Sequence, residues 1–138
     1  MRNLRRSFLW ILFFTYIVGV FLLMVLTINT GKVDVPKYVL GIESDKIVHF
    51  IIFLPYITLA WIAFVSGKPA GNKKRSVLLI FVSGLFLAVL TESAQLMNPQ
   101  REFDLMDIMA DVVSLSAVAL CMLIWISFRY KKGARNTC

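Results

Sequence analysis

The stretch VLLIFVSGLFLAVLTESAQLM, Val77–Met97, runs for twenty-one residues and carries a single charge, Glu92. A helix rises about 1.5 Å per residue, so about 20 apolar residues cross a hydrocarbon core of about 30 Å. Three more stretches meet the same requirement: Phe8–Ile28, Ile47–Ser66 and Ile108–Phe128. Lipid offers no partners to open backbone groups, and segments of this length are too long for barrel strands, so each is expected to be helical. Between them lie turn-forming residues: Asn29-Thr30-Gly31 and Pro36, then Gly67, Pro69, Gly71 and Asn72, then Asn98-Pro99. The expected architecture is an all-α integral membrane protein, with one four-helix domain over residues 1–138.

Composition supports this reading. Hydrophobic residues make up 59% of the 138 and charged residues 17%, with a mean hydropathy of +0.77. A small soluble domain buries too little of its chain to hide that much apolar surface, and disordered chains have the opposite balance. The net charge of +7 reads as a topology signal. Arg2, Arg5 and Arg6, then Lys68, Lys73, Lys74 and Arg75, then Arg129, Lys131, Lys132 and Arg135 form three acid-free groups. Only Lys32, Lys37, Lys46 and Arg101 fall on the other side, mixed with acids. The positive-inside rule therefore predicts both termini in the cytoplasm, with Trp10 and Trp125 near the inner interface. Basic residues spread over three short pieces do not make a nucleic-acid groove, so no nucleic-acid partner is expected. The first span exceeds a typical signal-peptide core and lacks a clear small-x-small site after it, so it reads as an uncleaved anchor.

Polar residues inside a bilayer are expensive, which makes their positions the main functional clue. His49 falls near the start of the second span, Glu92 and Gln95 near the end of the third, and Asp107 and Asp111 at the start of the fourth. Counting about 1.5 Å per residue from each span's end places all of them at a similar depth in the outer leaflet. Asp45 and His49 are i,i+4; Asp104, Asp107 and Asp111 follow i, i+3, i+7. Arg101 stands in the short loop beside them, where its guanidinium could bridge carboxylates from two helices. Pro55 interrupts the second span and is expected to kink it near His49.

A satisfied ion-pair network that only sets helix register would look the same in sequence. Metal binding has weaker support, because one His and several carboxylates without diagnostic spacing do not specify a site; no metal and no cofactor is expected. No Ser-His-Asp set or phosphate-cradling glycine loop is present either. The small residues Ser83, Gly84 and Ala88, with Ala110, Ser114 and Ala117, suggest close contact between the third and fourth helices.

Asp45-Lys46-Ile47-Val48-His49-Phe50 resembles the Asp-Lys-x-x-His-Phe opening of the VanZ-like family. Glu92-x-x-Gln95, Pro99-x-Arg101, Asp104 and Asp107 resemble its second block, and the four-helix pattern is similar from end to end. The sequence departs from that pattern after Asp107, with Asp111 where the family usually has Asn and Ser114 where it has Gly. The resemblance implies a bacterial inner-membrane protein related to one that confers low-level resistance to the glycopeptide teicoplanin, and it implies no catalytic mechanism. The expected site is therefore an outer-leaflet pocket made by Asp45, Lys46, His49, Glu92, Gln95, Arg101, Asp104, Asp107 and Asp111. Its expected partner is an amphiphile: a membrane lipid, a lipid-linked wall precursor or a glycopeptide. Lys46 and Arg101 would meet anionic groups, with Asp104 and Asp107 orienting Arg101. The alternatives are a lipid-modifying enzyme using Glu92 or His49 and a non-catalytic structural or partner subunit. A transporter ranks last, since no polar path continues inward.

Overall fold

The computed structural model describes residues 2–25, 38–39, 41–67, 71–96 and 103–135. Pro99 and Arg101 lie outside them, so the expected bridging role of Arg101 falls outside the described residues. In chain order the elements are α1 (Arg2–Val25), β1 (Tyr38–Val39), β2 (Ile42–Glu43), α2 (Ser44–Phe53), α3 (Tyr56–Phe64), α4 (Lys73–Gln95) and α5 (Leu105–Arg135). Four helical stretches are long and apolar enough to cross a membrane, with α2 and α3 together forming the second. At most a third of each is buried within the fold, from 11% in the first to 33% in the second. Apolar surface on that scale is tolerable against lipid and not against water.

Helices α1, α4 and α5 extend beyond the apolar windows, because a helix can continue into the interface once it has started. Asn72 caps α4 by accepting the Arg75 N–H at 3.1 Å. Three basic residues then occupy the first turn of α4, where the helix dipole disfavours them. Their placement follows topology, not local helix preference.

Pro55 splits the second span into α2 and α3, as its missing N–H requires. Polar side chains tie down carbonyls around the break. The Tyr16 hydroxyl donates to the Ile52 carbonyl at 2.6 Å. Ser114 Oγ donates to the Phe50 carbonyl at 2.8 Å. Thus Ser114 provides an interhelical bond between α5 and α2. Further along, Trp10 Nε1 donates to the Ala63 carbonyl at 3.0 Å. These contacts run α1 antiparallel to the α2–α3 pair. Phe13 meets Phe64 edge-on at 5.1 Å and Tyr56 at 5.8 Å, so α1 braces α3 through aromatic packing.

Helix α5 packs mainly against α4 and α2. Gly84 permits that approach: a Cβ there would lie 2.9 Å from Leu115 Cδ2 and 3.0 Å from Tyr56 Cε1. Neither neighbour moves freely. Leu115 is fully buried. Ser83 Oγ donates to the Ile80 carbonyl and so receives the Tyr56 hydroxyl at 2.9 Å. Gly84→Ala is expected to cost about 1 kcal/mol through overpacking, read as a lower melting midpoint in nanodiscs. Ala117, by contrast, is exposed and makes no such seam.

Candidate functional site

The start of α2, the end of α4 and the start of α5 meet at one end of the bundle, beside the β1–β2 hairpin. Here His49, Glu92, Gln95 and Asp111 are fully buried and Asp107 nearly so. Helical rise alone places these residues at one depth; the structure also turns them toward one another.

Lys46 is the hub of the outer layer. Its Nζ donates to Glu43 Oε2 at 2.6 Å, Asp104 Oδ2 at 2.8 Å and Asp107 Oδ1 at 3.4 Å. Asp104 and Asp107, expected to orient Arg101, thus hold Lys46. Glu43 is not among the expected site residues, although its i,i+3 spacing to Lys46 is the signal that finds it. The Lys46 hydrogen bond, with a second from the Met106 N–H, holds the Asp104 carboxyl below the usual carboxylate range.

Asp104 also starts α5. Its Oδ1 accepts the Met106 N–H at 2.8 Å, the N-cap geometry that satisfies an otherwise orphaned helix donor. Its own N–H donates to Glu92 Oε1 at 2.7 Å. Glu92, from the last turns of α4, thereby fixes where α5 begins.

The inner layer is a histidine between two carboxylates. His49 Nδ1 lies 3.2 and 3.3 Å from the two Asp111 oxygens. An ionised Asp111 would only accept, and Nδ1 would then carry the proton. On the other side, His49 Nε2 is 3.7 Å from Asp107 Oδ2, too far for a hydrogen bond. Asp45, one turn before His49 on α2, brings a carboxylate to the same place: one ligand atom each from Asp45, His49 and Asp107 lie within 4.8 Å of one another.

Four buried polar atoms have no hydrogen-bond partner among the described residues: His49 Nε2, Glu92 Oε2, and both Gln95 Oε1 and Nε2. Buried polar atoms are nearly always paired in folded proteins, and leaving one unpaired costs about 1–3 kcal/mol. A groove of about 450 Å³ lies between α2 and α5, lined by Lys46, Ile47, Phe50, Met106, Met109 and Val113 among others. Lys46 is its only charged lining residue among those described, so the groove and the polar cluster share an edge. A larger concavity of about 1110 Å³ runs along α1 from Arg6 to Val18; among the described residues it holds no comparable set of polar groups.

No protein-family model, curated protein or solved structure matches the chain.

Proposed function

We propose that this is a multi-pass envelope protein of the VanZ-like type, with both termini cytoplasmic, in a bacterial inner membrane. Its polar cluster binds the head group of an amphiphile at the outer leaflet, while the apolar part lies along the α2–α5 groove. The observation that carries the reading is the set of buried, unpartnered atoms on His49, Glu92 and Gln95 among the described residues, next to an apolar groove that begins at Lys46. The two sequence blocks, Asp45–Phe50 and Glu92–Asp107, and the split of basic residues support the family and the orientation.

The charge balance narrows the head group. Among the described residues, Glu43, Asp104, Asp107 and Asp111 surround Lys46 and His49, with Glu92 bonded to the Asp104 backbone beside them. Such a cluster favours a ligand bringing hydroxyl, amide or amine donors over one bringing bare anionic charge. Lipoglycopeptides and the sugar–peptide part of wall precursors carry such donors beside a lipid tail, and the diphosphate of a wall precursor would have to lie outside the acidic cluster.

The phenotype to test is glycopeptide tolerance. Wild type and Glu92→Gln would be expressed at matched membrane levels in a sensitive host, with teicoplanin and vancomycin in parallel. Wild type is expected to raise teicoplanin tolerance selectively, and Glu92→Gln to lose most of that gain. Equal tolerance with and without the protein would remove resistance from the proposal.

A second reading, a lipid-modifying enzyme, draws on the His49–Asp111 pair, since a carboxylate-oriented histidine is a common general base. It predicts a covalently altered lipid that disappears in a His49→Gln variant.

A further inference from the structure

We propose that Asp45, His49 and Asp107 form a binding site for a divalent first-row transition-metal ion, of the zinc or manganese type. The site shares His49 with the amphiphile reading but does not rest on it, because its geometry needs no lipid.

Three independent features converge on it. First, the three side chains come from two helices and each offers a ligand atom within 4.8 Å of the others. Second, His49 is fully buried with Nε2 unpartnered among the described residues, and this nitrogen faces Asp107 Oδ2 at 3.7 Å. That separation is long for a hydrogen bond but suits two donors each about 2.0–2.2 Å from a shared ion. Asp45 brings the third ligand atom to within 4.8 Å of the other two. Third, the bonds made by Asp107 and His49 leave their facing atoms available. Lys46 engages Asp107 through Oδ1, leaving Oδ2 toward His49. With Asp111 ionised, His49 Nδ1 donates to it, and a neutral ring then carries its lone pair on Nε2.

The Asp111–His49 bond is the decisive detail. Metal-binding histidines almost always give their other ring N–H to a carboxylate, carbonyl or water, which orients the ring and raises its basicity. Asp111 occupies that second position and is itself fully buried, so it acts as a positioning residue, not a ligand. A nitrogen ligand favours a transition ion over calcium or magnesium, which prefer all-oxygen surroundings. Three protein ligands would also leave a coordination position for water or another oxygen. The alternative occupant is a proton: a doubly protonated His49 held between Asp107 and Asp111.

The test uses the full chain in nanodiscs, stripped with chelator and titrated calorimetrically with zinc chloride and, separately, manganese chloride. Metal content after desalting is measured in parallel. Wild type is expected to retain a single equivalent of at least one of these ions, with magnesium failing to compete. Asp111→Asn should weaken binding about 10–100-fold, and His49→Gln should abolish it. Should His49→Gln misfold, Asp45→Asn provides the second loss-of-binding variant, since Asp45 is only partly buried. Wild type that takes up no more of either ion than Asp45→Asn overturns the proposal and leaves protonated His49 as the occupant.

Discussion

Replacing Asp111 by leucine is expected to lower stability by about 3 kcal/mol, because it leaves the buried His49 ring without its carboxylate hydrogen-bond partner. Asp111 is fully buried, and both its oxygens lie near His49 Nδ1, itself fully buried. Without it, His49 Nδ1 loses its acceptor while Nε2 still has none among the described residues. The double variant His49→Leu/Asp111→Leu should regain much of the loss, since removing both partners of a buried pair is often close to neutral. Unfolding of Asp111→Leu, His49→Leu, the double variant and wild type, in chelator-treated nanodiscs, measures the coupling directly. Equal and additive losses would mean that the two side chains do not interact. This effect should exceed those of the neutral interhelical bonds Ser114–Phe50 and Tyr56–Ser83, because such bonds average about 0.6 kcal/mol in membrane proteins.

Glu92→Ala should produce the next largest loss, about 2–3 kcal/mol, comparable to leaving a buried polar group unpaired. Glu92 Oε1 accepts the Asp104 N–H that begins α5, and Asp104 in turn binds Lys46 and caps the helix. Alanine would release all three elements from the same point. Glu92→Gln retains an oxygen at that position and should keep most of the stability. A melting midpoint for Glu92→Gln as low as that of Glu92→Ala would assign the role to charge and not to the hydrogen bond. This pair of variants also separates structure from function in the tolerance assay, where the glutamine variant must fold to be informative.

Depth within the bundle is legible in the amino-acid order, because helical rise is nearly constant. Counting from the span ends places His49, Glu92 and Asp111 at one depth; His49 meets Asp111 there, and Glu92 reaches the Asp104 backbone. Pro55 likewise announces the break between α2 and α3. Rotation about each helix axis is not legible in the same way. It depends on packing such as Gly84 against Leu115 and Tyr56, and it decides that His49 pairs with Asp111 while Glu92 reaches the backbone of Asp104. Spacing alone leaves Lys46 to anionic ligands, because neither the hairpin that positions Glu43 nor the start of α5 at Leu105 can be read from periodicity. Tyr16 escapes for a related reason: a hydroxyl in an apolar span must find an acceptor, but only the kinked α2–α3 backbone reveals which carbonyl it takes.

Gln95 offers the most direct test of the central claim that the buried polar cluster is a ligand site and not a packing device. Its side chain is fully buried with neither amide atom paired among the described residues. If the cluster only held helices in register, Gln95→Leu would remove an unsatisfied polar group and leave every other property unchanged. Native mass spectrometry of the full chain, offered teicoplanin, a lipid-linked wall precursor and phosphatidylglycerol in turn, measures retained ligand for wild type and Gln95→Leu. The account predicts that wild type holds the wall precursor or teicoplanin more firmly than phosphatidylglycerol, and that Gln95→Leu folds at least as stably yet loses that preference. Identical retention by the two proteins, or none by either, would contradict it.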